Sequence, residues 1–131
     1  DLTASISFDP ETFVTGLYGH LKFELTETQT GRPVTDLQPH LGSFGHMLIM
    51  SEDLVQYVHS HPIDMENSDE ETGPLTLMLP MGADALRLRA GPEITFEGRM
   101  PKPGLYRAWT QFRRRDEVYT FTHTFAVEQP E

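Results

Sequence analysis

The 131-residue sequence contains no cysteine. That excludes disulfide frameworks, thiolate nucleophiles, iron–sulfur clusters and zinc-thiolate sites, and with them any copper centre built on a cysteine ligand. No apolar run approaches the roughly 20 residues that a membrane-spanning helix needs. Basic residues are scarce, 10 against 20 acidic ones, for a formal charge of −10. Such an excess repels phosphate backbones, so nucleic-acid binding is not expected. No segment keeps a helical period over three turns. Neither a Gly-x-Ser-x-Gly elbow nor a phosphate-binding glycine loop occurs. The acidic stretch Glu66–Glu71 does not follow the order of an Asp-x-Asp-x-Asp-Gly calcium loop and reads as solvated. What stands out is a supply of six histidines and six methionines.

With 37% hydrophobic and 23% charged residues, the chain has the composition of one soluble globular domain spanning 1–131. It begins at Asp1 and not at Met, so a trimmed or processed chain is expected, in which any signal peptide or anchor would not be visible.

The dominant period is two. In Gly16–Gln29, Leu17, Leu21, Phe23 and Leu25 share one parity, and His20, Lys22, Glu24 and Thr26 the other, which predicts a strand with one wet face. Val34–Leu37 reads as a short extended piece. Phe44–Met50 is apolar on both parities, as suits a strand covered on both sides. A turn at Ser51–Leu54 leads to a strand Val55–His61 that stops at Pro62. Residues 64–73, rich in acid and without apolar period, read as an exposed loop. Short strands are predicted at Leu75–Leu79, Ala85–Leu88 and Glu93–Glu97. A final hairpin is predicted from Leu105–Arg113 and Glu117–Val127. About eight strands, in a range of seven to nine, with prolines at their ends, predict an all-β antiparallel sandwich.

The chemistry concentrates in Gly45-His46-Met47-Leu48-Ile49-Met50 and Val58-His59-Ser60-His61-Pro62. Residues two apart on a strand share a face, so His59 and His61 are neighbours. A four-residue loop Ser51–Leu54 pairs Met50 with Val55 and sets His46 opposite His59. Three imidazoles then converge at the open end of one hairpin, and a one-residue slip would turn His46 away. Neutral imidazoles suit Cu(II), Zn(II) or Ni(II), and thioether sulfur favours Cu(I). Met47, Met50 and Met65 lie near the histidines in sequence and are the candidate thioether ligands, although core filling is the commoner role of methionine. His plus Met without Cys is a ligand set expected of copper handling outside the cytosol. His123 shares parity with Tyr119, Phe121, Phe125 and Val127 and points to an apolar face, where it is either a core residue or a further ligand. His20 reads as solvated, and His40 as a loop residue with no partner. Trp109 reads as a core or site-wall residue.

The segments Gly31–Pro39, Leu41–His46, Val58–Pro62 and Pro101–Phe112 together resemble small bacterial extracytoplasmic domains related to the YtkA-like and FixH-like proteins. The resemblance covers roughly residues 8–127. It implies an Ig-like or cupredoxin-like fold, a periplasmic, secreted or cell-surface location, and an association with copper or heavy-metal handling. The implied ligands fall on His46, His59 and His61. Family members often carry a histidine just after the valine of the last strand. This sequence has Tyr119 there, so the fourth ligand is Tyr119, His123, a methionine or water. The expected function is non-enzymatic binding of a metal, copper before zinc, for sequestration, delivery or tolerance. Its partners would be a metal-trafficking protein or a membrane-anchored parent. The alternative is an Ig-like interaction module that binds no metal and presents its acidic loop. No catalytic constellation is found.

Overall fold

The computed structural model describes residues 1–41, 43–69, 73–76 and 88–130, and for 64–69 and 73–76 the backbone alone. Ten strands follow one another among the described residues: β1 (Leu2–Asp9), β2 (Phe13–Val14), β3 (Tyr18–Glu27), β4 (His46–Ser51), β5 (Tyr57–Ser60), β6 (Ile63–Asp69), β7 (Gly73–Thr76), β8 (Glu93–Arg99), β9 (Gly104–Arg114) and β10 (Glu117–Glu128). One sheet has the order β1-β3-β8 and the other β2-β10-β9-β4-β5, while β6 and β7 form a separate ribbon. All pairings are antiparallel except β2 with β10.

The expected all-β sandwich is what the chain forms, and the period-two pattern builds it. On β3, Leu21, Phe23 and Leu25 are buried. On β9, Tyr106, Ala108, Thr110 and Phe112 turn inward the same way. Phe23 meets Phe96 of β8 and Phe112 of β9 with ring centroids 5.7 and 5.4 Å apart, so aromatic edges join the two sheets. A second group, Phe8, Phe13 and Phe125, closes one end at 5.4–5.5 Å.

Some elements differ from the sequence reading. β1 was not expected; its inward residues Leu2, Ala4, Ile6 and Phe8 alternate with Thr3, Ser5 and Ser7, a pattern diluted by small side chains. Residues 64–73, expected as a loop, contribute β6 and the start of β7. β6 and β7 pair with each other and are members of neither larger sheet, so the core alternation that marks the other strands is not required of them. Val34–Leu37, expected as a short extended piece, plugs the sandwich, with Val34 and Leu37 fully buried and Leu37 bonded in both directions to Ala90. Of the predicted strands Leu75–Leu79 and Ala85–Leu88, residues 77–79 and 85–87 lie outside the described residues.

Among the described residues no helix is long and apolar enough to cross a membrane.

Candidate metal centre

The β4–β5 hairpin forms one edge of the five-stranded sheet, and its register decides the site. Met47 pairs with Ser60, Leu48 with His59, Ile49 with Val58 and Met50 with Tyr57. The register expected from a Ser51–Leu54 loop, with Met50 on Val55 and His46 on His59, is corrected by two residues. The loop is four residues long, as expected, but begins one residue later. Ser51 continues β4, its N–H donating to the Gln56 carbonyl at 3.0 Å. The Ser51 hydroxyl accepts from the Gln56 N–H at 2.8 Å and donates to Asp53 Oδ1 at 2.5 Å. Asp53 Oδ1 also takes the Val55 N–H at 3.1 Å, and Leu54 turns the chain at φ 63°. A slip of two residues preserves parity, so His46, His59 and His61 still share the outer face.

There the three rings converge. Centroids are 4.7 Å apart for His59 and His61, 5.0 Å for His46 and His61, and 6.1 Å for His46 and His59. One ring nitrogen from each lies within 4.8 Å of the others. Metal–nitrogen bonds of about 2.0–2.1 Å put ligand nitrogens of a tetrahedral site about 3.3 Å apart, so closure onto one ion needs a movement of about 1.5 Å at most. The donor set is imidazole alone, which fits a borderline divalent ion. His59 is exposed, while His46 and His61 are half-buried. Burial, reinforced by repulsion from His46 and His59, pushes the His61 pKa below the ordinary imidazole value. The neutral, ligating form of His61 is thereby favoured.

His46 opens β4, opposite Gln111 of β9. Its Nε2–H donates to the carbonyl of His40 at 2.6 Å. Metal-ligating histidines commonly use their second ring nitrogen in this way. His40, read from the sequence as partnerless, also bonds Gln111 Oε1 through Nε2 at 3.4 Å and sets its ring edge-on to His46 at 5.6 Å. The sequence signal for this is that Pro39 and Gly42 break the chain on either side of His40. Beside the cluster lies a hollow of about 370 Å³ lined by His46, Leu48, Tyr57, His59, Trp109, Gln111 and Thr120 among others, which makes Trp109 a site wall.

The other candidates stand apart. His123 pairs with Ala108 on the inner face of the same sheet, against Phe23 at 5.6 Å, so the sheet separates it from the three-histidine cluster. Tyr119 shares that inner side, and its hydroxyl donates to Glu117 Oε2 at 3.1 Å. Met47 is buried in the core at 1% exposure. Met50 shares the outer face of β4 but lies four residues beyond His46, opposite Tyr57 and Arg107. The Met65 side chain lies outside what is described. His20, expected to be solvated, is half-buried on β3 and meets Glu97 Oε2 at 3.1 Å.

A family model described as a domain of unknown function, DUF8832, matches residues 2–129. That description names neither the YtkA-like nor the FixH-like proteins that the motifs resemble. A search of the curated proteins finds no match. Among solved structures, the chain is similar to a family 123 glycoside hydrolase from Clostridium perfringens, with 14% identity and a TM-score of 0.46 over 98% of this chain. It spans 27% of that enzyme's length. It is also similar to the soluble domain of PmoD from Methylocystis sp. ATCC 49242 (Rockwell), with 14% identity, a TM-score of 0.42 and coverage of 96% of this chain and 90% of the other.

Proposed function

The chain belongs to the DUF8832 family, and we propose that it is a metal-binding domain that holds one copper ion through His46, His59 and His61. The observation that carries this reading is the convergence of three imidazoles within 4.8 Å on one sheet face, among the described residues the one such group of metal-binding side chains. Copper is preferred to zinc because imidazole sites bind Cu(II) more tightly than Zn(II) in the usual order of divalent ions. Bound copper would add a Lewis-acidic, redox-active centre to a surface that otherwise offers only proton-binding groups. With no thiolate, the site falls outside the His₂Cys pattern of blue-copper electron transfer. Sequestration, delivery or tolerance outside the cytosol is the role that fits, in exchange with a trafficking protein or within a membrane-anchored parent.

The test is a competition titration of untagged protein with Cu(II) and Zn(II), repeated on the H59A/H61A variant. One equivalent of copper should bind more tightly than zinc, and the variant should lose it. Unchanged binding in the variant overturns the site. A native chain that binds neither ion, and whose melting temperature neither ion raises, favours the non-metal interaction module.

A further inference from the structure

The turn before β4 has no assigned role, and its geometry is that of a clamp on one ligand. His40 and Ser43 face each other across it: the His40 N–H donates to the Ser43 carbonyl at 2.7 Å, and the Ser43 N–H returns to the His40 carbonyl at 3.2 Å. Upstream, the Gln38 N–H is fixed to the Arg113 carbonyl of β9 at 2.7 Å. The His40 carbonyl is thus held from both sides, and the shortest bond it accepts comes from His46 Nε2 at 2.6 Å. A carbonyl oxygen can only accept, so Nε2 of His46 must carry the hydrogen. In neutral imidazole the other nitrogen is then the one with a free lone pair. Gln111 orients the His40 ring: its Nε2 donates to Thr120 Oγ1 at 3.3 Å, which leaves Oε1 to accept from His40 at 3.4 Å. That ring stands at 85° to His46 and blocks one side of it.

We propose that His40 is the positioning residue of the metal centre: its carbonyl locks His46 as the Nε2–H tautomer before any ion arrives, so that His46 ligates through Nδ1. This rests on the metal-binding reading above. A fixed ring pays less ordering entropy on binding, and a carbonyl on the distal N–H raises the basicity of the ligating nitrogen. His59 and His61, in contrast, have no described hydrogen bond from a ring nitrogen. His46 is therefore the preset ligand, and the His59-x-His61 pair closes onto the ion.

The experiment is long-range ¹H–¹⁵N NMR of the imidazoles in the full chain, first metal-free and then with Zn(II), a diamagnetic probe. Without metal, His46 should show a protonated Nε2 and a bare Nδ1; with Zn(II), the Nδ1 resonance of His46 should shift. A tautomer mixture in the metal-free chain, or zinc on Nε2, overturns the proposal. A locked tautomer with no zinc shift at any of the three histidines shows that the metal reading has failed while the clamp exists, and the positioning role falls with it. Two variants separate the carbonyl from the ring. Replacing Leu41 by its α-hydroxy acid turns the His40 carbonyl into a weaker ester acceptor; zinc affinity should fall about tenfold, the low end of the effect of losing such a partner. H40A keeps the carbonyl and should keep both the tautomer and the three-histidine ligand set. Complete loss of binding in H40A would make the His40 imidazole a ligand itself and overturn the proposal. So would unchanged affinity in the ester.

Discussion

His123 and Phe23 meet edge to face across the interior of the sandwich, ring centroids 5.6 Å apart. Nδ1 of His123 is buried there with no hydrogen-bond partner. A buried polar atom without a partner costs stability, and its ring resists protonation.

The first prediction concerns acid sensitivity. Burial holds the His123 pKa below its ordinary value of 6.5. Above that value both folded and unfolded chains are neutral at this residue and it has no pH effect. As pH falls through 6.5, the unfolded chain takes up the proton first, so stability declines until the folded pKa is passed. The H123F variant should unfold at higher urea at pH 7.5, by about 1 kcal/mol, and should lose less stability between pH 7.5 and 5.5. Its residual slope should come partly from His61, whose pKa is shifted in the same direction. Identical pH slopes in the variant and the native chain would show that His123 is not the sensor.

A second prediction links the core to the site through Gly45. A Cβ at this position would lie 3.0 Å from ring carbons of both Phe112 and Phe96. Neither ring has room to retreat, since both are fully buried and pack on each other at 6.1 Å. G45A should therefore cost about 1–3 kcal/mol of stability, as overpacking does. Because His46 follows directly, the same displacement should weaken metal binding. Calorimetry and a copper titration on one sample check both; a variant as stable as the native chain would mean that the rings yield freely.

How far the sequence reveals the molecule can be judged from these residues. The parity of Leu21, Phe23 and Leu25 against Lys22 and Glu24 places β3 and its inner face without further information, because burial on one side leaves an alternation that any reader can count. The same rule puts His59 beside His61. Relating His46 to them required the turn, and the reading there was two residues off; what rescued the site is that an even slip changes partners but not faces. Whether Ser51 ends the strand or starts the turn depends on the Ser51–Asp53–Gln56 hydrogen bonds, which residue types allow but do not dictate. His40 was invisible for a different reason. Its contribution is a backbone carbonyl, and backbone carbonyls are the same in every residue. His123 shows the converse: its parity with Phe125 and Val127 correctly placed it on an apolar face, yet parity does not tell which side of the sheet holds the other histidines.

The turn itself is open to a third prediction. Ser51 is 9% exposed, and its hydroxyl satisfies the Gln56 N–H while donating to Asp53. S51A leaves that N–H without its acceptor and should cost about 1–2 kcal/mol. The Asp53 carboxyl is held below its usual pKa, first by the Ser51 hydroxyl and then by the Val55 N–H. The stabilisation belongs to the carboxylate, is present above 3.8, and disappears as acid titrates the folded group. S51A should remove part of the stability lost between pH 5 and pH 2 (~3 units of titration), measurable as a flatter acid limb in urea unfolding. Equal acid limbs would place the hydrogen bond elsewhere.

The last prediction concerns the cation that ties the connection between β3 and β4 to the sandwich. Arg114, at the end of β9, has a side chain only 9% exposed; its Nε donates to Asp36 Oδ1 at 2.7 Å and its Nη2 to Glu27 Oε2 at 3.2 Å. Truncating one partner of a buried ion pair typically costs about 3–5 kcal/mol, because the other charge is left dry. Here Asp36 is 43% exposed and water can reach it, so R114A should lose less, about 2–3 kcal/mol. Asp36 lies four residues before His40, on a segment also anchored by the Leu37–Ala90 and Gln38–Arg113 backbone bonds. Freed from Arg114, that segment should hold the His40 carbonyl less firmly, and the fraction of His46 in the Nε2–H form should fall even in molecules that remain folded. R114K, which keeps the charge but not the two-pronged geometry, should recover only part of the stability. Full recovery by lysine would mean that charge alone, and not the guanidinium's fixed fork, holds this connection in place.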